Sequence, residues 1–316
     1  MTFPDLKPLL LVFGGGRMGL SHASMCGLLA PGLATVVVDP SLKGRVMVSL
    51  LSGRNVRVKK RVSDKLIKAA THVVISSPPK FHQQNVLSLV DAGFRGTLLI
   101  EKPISVALDT TSYFKAVHHG YTLRHHFFWG PLVEEVQDGT LLSLSVSMET
   151  NQDFSVKDGN WRSKSDMPGD VLLNEYGSHV LNLIQGLVPE TKFHVIVAEE
   201  NHLKLQAVRP IEVDVELIAA SQKVRKSSFL ITLKFDDREV QTDLYTYTTF
   251  SEVKSEPEVK SLAGLGVNAR ASLRGTEFSF QTQRFLNSED LSHDFIDALE
   301  TDEILQQVKE QMRCLG

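Results

Sequence analysis

Short, wholly apolar runs alternate with amphipathic stretches over the first ~120 residues. The runs are Leu9–Phe13, Ala34–Val38, Val73–Ser76, Thr97–Ile100 and, less apolar, Gly120–Leu123. Runs that are apolar at every position predict strands buried on both faces, as in a parallel sheet covered by helices. The segments between them predict crossover helices, for example Phe81–Ala92, where Phe81, Val86, Leu89 and Val90 are spaced among polar residues. This alternation is the doubly wound α/β pattern.

After about Leu123 the pattern changes. Leu141–Thr150, Phe193–Ala198, Val213–Ala219, Ser228–Phe235 and Glu239–Tyr247 are rich in strand formers, and TDLYTYTTF and EFSFQTQRF alternate with period two. Alternation of this kind marks a sheet with one wet face. A strong helix is expected over Asp170–Leu187 and two more over Ser288–Leu299 and Asp302–Cys314, with a polar loop at Ser251–Ala263. Consecutive strands predict an α+β second domain with a large, mainly antiparallel open sheet, residues 124–316, after an α/β domain of residues 1–123.

The composition of the 316 residues is that of an ordinary globular protein, 42% hydrophobic and 22% charged. The hydrophobic content is too high, and the net charge of -3 too small, for disorder. No basic block draws a polyanion, so nucleic acid is not an expected partner. No apolar run reaches the ~18 residues of a membrane helix. The opening MTFPDLKPLLLVFGGG lacks a basic leader and reads as a first strand. Cys26 and Cys314 are the two cysteines. A pair so far apart in sequence makes no disulfide framework, and a reducing, cytoplasmic setting is expected.

Gly14-Gly15-Gly16-Arg17-Met18-Gly19 matches G-x-G-x-x-G, with an apolar strand before it, a helical stretch (Leu20–Leu29) after it, and Asp39 at the end of the next strand. In that setting Gly14 allows a tight turn, Gly16 lets a pyrophosphate approach the backbone, and Gly19 permits close helix–strand packing. The helix start, with Arg17 and Met18, presents N–H groups to phosphate. Asp39 suits ribose hydroxyls and repels a 2′-phosphate, whereas Lys43 and Arg45 could attract one. NAD is therefore expected, and NADP stays open. The first domain reads as a dinucleotide-binding Rossmann unit.

Further blocks follow in order: Ser76-Ser77-Pro78-Pro79-Lys80-Phe81-His82, Glu101-Lys102-Pro103, Trp161-Arg162 and Asn174-Glu175-Tyr176-Gly177-Ser178-His179. With the glycine loop, over residues 9 to about 185, they resemble the glucose–fructose oxidoreductase / inositol dehydrogenase / rhizopine-catabolism family (Gfo/Idh/MocA). The resemblance implies an NAD(P)-dependent oxidoreductase acting at a hydroxyl or ketone carbon of a sugar, polyol or sugar derivative. It implies that His179 takes the substrate's hydroxyl proton, that Lys102 steadies the oxygen, and that Glu175 completes the group. Ser77, Pro78 and His82 would lie on the nicotinamide side, Glu101 and Pro103 would set the presentation of Lys102, and Arg162 would reach cofactor or substrate. A homodimer or homotetramer through the second-domain sheet is implied as well.

The chain departs from the family pattern where Glu175 and Asn182 replace Asp, and His72 replaces Asp at the start of the fourth strand. Two other readings therefore stay open: a non-catalytic dinucleotide-binding regulator, and a reductase of a non-sugar carbonyl or imine. The pairs His118-His119 and His125-His126 do not predict a metal site, because adjacent strand residues point to opposite faces. Trp161 and Phe127-Phe128-Trp129 read as core packing before a sugar-stacking wall, and Met148 and Met167 as filler.

Overall fold

The computed structural model describes residues 8–51, 55–107, 112–126, 128–152, 167–220, 227–244, 248–251 and 276–315. The chain divides into two compact units, residues 1–125 with 277–299 and residues 126–276 with 300–316. The sequence pattern carries no local signal for the return of 277–299 to the first unit.

The first unit is built on β1 (Leu9–Phe13), β2 (Ala34–Val38), β3 (Val56–Lys59), β4 (His72–Ile75), β5 (Thr97–Ile100) and β6 (Ala116–His119). All six pair in parallel, in the order β3-β2-β1-β4-β5-β6. Helices α1 (Arg17–Leu29), α2 (Leu42–Leu51), α3 (Asp64–Ala69) and α4 (His82–Asp91) make four of the crossovers. Alternate residues of each strand feed opposite faces of the sheet. Leu10, Val12 and Val37 pack with Ala23 and Cys26 of α1 and Val48 of α2. Leu11, Phe13 and Ile75 pack with Ile67 of α3 and with Val86 and Leu89 of α4. Both faces are dry over the middle of the sheet, which is why β1, β2 and β5 are apolar at almost every position, whereas β3 at the edge alternates with exposed Arg57 and Lys59.

The last strand of this sheet is Ala116–His119, not Gly120–Leu123, most of which belongs to a turn and a short 3-10 helix (Thr122–His125). His118 and His119 are fully buried in this strand. Burial, with nearby Arg284 second, pushes His118 down to about 4. Its ring meets Phe285 edge-on at 5.7 Å, while His119 faces Tyr121 at 5.8 Å and His125 at 6.0 Å.

The second unit contains α5 (Trp129–Asp138) and a seven-stranded sheet of β7 (Leu141–Glu149), β8 (His194–Glu199), β9 (His202–Ala207), β10 (Glu212–Ile218), β11 (Ser228–Phe235), β12 (Glu239–Asp243) and β13 (Thr248–Ser251). The order is β13-β12-β11-β7-β10-β9-β8. Among the described residues, only the β7–β10 pair of this sheet runs parallel. Strand burial alternates, as in β11, where Phe229, Ile231, Leu233 and Phe235 point inward. The period-two run TDLYTYTTF is shared between the end of β12 and β13, which pair antiparallel.

Two expectations for the C-terminal stretch are corrected. EFSFQTQRF is not a strand but lies in helix α7 (Thr276–Leu286). Its inward residues Gln281, Thr282 and Phe285 recur at helical spacing, and Phe280, which a strand would place beside Phe278, is exposed. The two closing helices are one, α8 (Ser292–Leu315). Thr301, a natural break from sequence, is fully buried and accepts a hydrogen bond from Asn182 Nδ2 at 3.1 Å. A tertiary partner thus outweighs the capping preference of Thr and Asp.

Candidate active site

The turn from β1 into α1 has the shape expected of a phosphate cradle. Gly14 sits at φ +105°, where L side chains are strained, and a Cβ there would lie 2.7 Å from the Ser76 carbonyl oxygen. At Gly19 a Cβ would lie 1.8 Å from the Gly14 carbonyl oxygen, so only glycine lets α1 approach the strand this closely. A Cβ at Gly16 would meet nothing within 4 Å, so the backbone there is open to a ligand. No side chain caps α1, whose first backbone hydrogen bond runs from Leu20 N–H to the Gly16 carbonyl. The preceding N–H groups of Arg17 and Met18 and the helix dipole suit an anion.

Asp39 follows β2 directly. Its Oδ2 accepts the Gly15 N–H at 2.7 Å and its Oδ1 accepts the Ser41 N–H at 2.7 Å. Each carboxylate oxygen keeps acceptor capacity for a sugar hydroxyl. Arg45 is turned onto the backbone, donating from Nη1 to the carbonyls of Asp39 (3.1 Å) and Pro40 (2.8 Å), while Lys43 is exposed. The residues present therefore fit the adenosine and pyrophosphate halves of a dinucleotide.

The next two strand ends supply the remaining predicted residues of this unit. Ser76 Oγ donates to the Phe13 carbonyl at 3.0 Å and lies 3.2 Å from that of Gly14, which seats the loop after β4 against the glycine turn. Ser77, Pro78 and Pro79 are half-buried, and Asn85 Nδ2 donates to Ser77 Oγ at 2.9 Å. His82 is fully buried, with both ring nitrogens engaged by backbone carbonyls, and so offers no edge to a ligand in this structure. After β5 come Glu101, 6% exposed, then half-buried Lys102 and a cis Lys102–Pro103 peptide.

The sequence reading did not single out His22. It lies on α1, fully buried, with Nε2 2.7 Å from Glu101 Oε1. Its ring centroid is 4.7 Å from that of Phe278. A histidine three residues beyond the last motif glycine was the available signal. It carried no meaning without knowing that β5 ends beside that helix.

In the second unit, Glu175 and His179 lie on the helix expected over 170–187, which is not uniform. A short α-turn (Asp170–Leu172) passes into a π-turn (Leu173–Gly177) and then into α6 (Ser178–Leu187). Single π-turns of this kind recur at functional sites. Glu175 is inside the wide turn and His179 is the second residue of α6, both half-buried. Ser178 Oγ donates to the Asn174 carbonyl at 2.8 Å, and Asp170 pairs with Lys309 at 3.3 Å. Val180, Leu181, Leu183, Ile184 and Leu187 are buried and anchor α6. Asn182 is taken up by Thr301, a packing role. Trp161 and Arg162 lie outside the described residues, as does Phe127. Among the described residues, no three His, Cys, Asp or Glu side chains come together to hold a metal.

No family model and no curated protein sequence matches the chain. Solved structures do match. GenD2 from gentamicin A biosynthesis, in complex with NAD, superposes with a TM-score of 0.71 at 16% identity, covering 99% of this chain and 96% of that one. The fold is shared. Levoglucosan dehydrogenase with NADH and levoglucosan gives 0.73 at 13% identity, with 98% of each chain covered. The WlbA dehydrogenase from Bordetella pertussis, with NADH and UDP-GlcNAcA, gives 0.72 at 12% identity over 100% of this chain and 98% of that one. Both units are thus within the likeness. Among the described residues, no helix is long and apolar enough to cross a membrane.

Proposed function

We propose that this protein is an NAD(P)-dependent oxidoreductase that moves hydride to or from a hydroxyl or ketone carbon of a sugar, polyol or sugar derivative. The glycine turn carries this reading. Gly14 at φ +105°, Gly19 pressed on the Gly14 carbonyl, an uncapped α1 and Asp39 at the end of the neighbouring strand form a dinucleotide cradle. Three solved proteins of the same fold, each in complex with NAD or NADH, support the cofactor class, and two of them also hold levoglucosan or UDP-GlcNAcA.

In this reading the N-terminal unit binds the dinucleotide, with Gly14, Gly16, Arg17, Met18 and Gly19 at the pyrophosphate and Asp39 at the ribose. Ser77, Pro78, Glu101 and Lys102 border the nicotinamide end, with His82 behind them. A bound nicotinamide supplies the hydride acceptor or donor. His179 accepts the hydroxyl proton as general base and returns it in reduction. The Lys102 ammonium stabilises negative charge on the substrate oxygen as it develops. Glu175 orients or charges this group, and Arg162 binds substrate or cofactor. The C-terminal unit supplies substrate contacts and, through its open sheet, a homodimer or homotetramer.

The test is the near-ultraviolet absorbance of reduced nicotinamide with NAD or NADP, over a panel of sugars, polyols and sugar acids, with Lys102→Ala alongside. Turnover that vanishes in the variant supports the enzyme. Binding of NADH without turnover of any panel member favours the dinucleotide-binding regulator.

A further inference from the structure

The fold brings two buried imidazoles to the segment that carries Lys102, from opposite faces of the sheet. His22 comes from α1, whose Ala23 and Cys26 pack on one face, and His82 begins α4, whose Val86 and Leu89 pack on the other. Each side chain is fully buried.

His22 Nε2 meets Glu101 Oε1 at 2.7 Å, and Glu101 Oε2 accepts the Lys102 N–H at 3.3 Å. Gly120 closes over the same carboxylate, since a Cβ there would lie 2.6 Å from Glu101 Oε2. The carboxylate therefore has one arrangement, set by the imidazole. On the other face, His82 Nε2 is 2.7 Å from the Ser77 carbonyl, and Nδ1 is 3.0 Å from that of Pro103 and 3.1 Å from that of Ile104. Carbonyl oxygens only accept, so a neutral ring satisfies one side and an imidazolium both. The adjacent residue Gln83 adds a second tie, accepting the Ala107 N–H on Oε1 at 2.9 Å.

These contacts also connect the lysine to the cofactor cradle. His22 is on the helix that opens with the glycine turn, and a Cβ on Gly14 would lie 2.8 Å from Ser77 N, the residue that His82 holds. We propose that His22 and His82 are positioning residues that clamp the Glu101-Lys102-Pro103 segment to the glycine turn, so that dinucleotide seating and the placement of the Lys102 ammonium are set together. The proposal rests on the reading of Lys102 as the group that steadies the substrate oxygen. Neither histidine touches reacting atoms. Their effect runs through the lysine, where a displacement of about 1 Å can cost on the order of 100-fold in rate.

The test uses the full-length protein and three variants. His22→Phe and His82→Phe remove the donors while keeping bulk, and His22→Gln keeps a donor at the position of Nε2. Acetylation of Lys102 by acetic anhydride is followed by peptide mass spectrometry, with Lys43 and Lys234, both exposed, as internal references. Each Phe variant is expected to change the Lys102 rate at least about threefold with the references unchanged, and His22→Gln to restore it. If His22→Phe does not fold because Glu101 is left buried and unpaired, His22→Phe with Glu101→Gln takes its place. Unchanged Lys102 labelling in folded variants overturns the clamp.

The second arm is a double-mutant cycle on a turned-over substrate. The Phe variants are expected to lower kcat about 10- to 100-fold with the KM of the turned-over hydroxyl or ketone substrate nearly unchanged, and to add less than about threefold in a Lys102→Ala background. Full additivity overturns the proposal. Normal turnover by Lys102→Ala alone sinks the catalytic reading instead, while the labelling arm still judges the clamp.

Discussion

The Asp39 carboxylate just past β2 accepts the Gly15 N–H at 2.7 Å, so the acid expected at a ribose also shapes the glycine turn beside it. Its other oxygen holds the Ser41 N–H at 2.7 Å, which orients the carboxylate before any ligand arrives. One residue thus links the loops that follow β1 and β2.

Replacing Asp39 by Ser is expected to weaken NADH binding about tenfold or more and to narrow the preference over NADPH. The charge that repels a 2′-phosphate is gone and the turn loses an acceptor. Fluorescence titration with both coenzymes reads the ratio. Unchanged affinities for both would remove Asp39 from the ribose.

Lys102→Ala is expected to lower turnover by roughly 10² or more, as loss of an electrostatic stabiliser does. NADH affinity should stay within about a factor of two. A normal rate would show that the charge at this strand end is not used.

Gly19→Ala tests the close approach of α1 to β1. With a Cβ 1.8 Å from the Gly14 carbonyl, backbone has to move, and overpacking of this kind costs about 1–3 kcal/mol. Urea unfolding should show a lower midpoint, and NADH binding should weaken together with it. A variant of unaltered midpoint and affinity would contradict the packing described for the turn.

Acid should weaken the fold through its buried histidines. Burial pushes His118 down to about 4 and, together with nearby positive charge, His125 to about 3. Unfolded histidine titrates near 6.5, so between about pH 6.5 and 4 the unfolded chain binds more protons, and stability is lost as pH falls. The contribution is fully present above about pH 6.5. His118→Gln removes one titrating group, and its slope of unfolding free energy against pH should be shallower by about 1.4 kcal/mol per unit over that window. An unchanged slope would mean that His118 is not buried neutral.

The legible parts of this protein were those whose cause is local. β1, β2 and β5 are apolar at almost every position, and the glycine turn states its backbone requirement in its own residues. What misled was local ambiguity. EFSFQTQRF satisfies a period of two in its first residues and a helical period over its full length, and only the burial of Gln281, Thr282 and Phe285 chooses between them. Likewise, the strand β6 hides behind His118 and His119, because a histidine reads as polar until its surroundings keep it neutral.

The sequence alone determined an α/β unit with a glycine turn after its first strand, followed by a mostly antiparallel β unit, because hydrophobic period and glycine stereochemistry act over a few residues. Tertiary structure alone decided that His22 meets Glu101, that His82 bridges the carbonyls of Ser77 and Pro103, and that the helix holding Glu175 contains a π-turn. The first two pair residues 79 and 5 or 21 positions apart, through side chains that satisfy buried polar groups. Such groups take whatever partner the fold brings within reach, and no pattern along the chain records which partner that is.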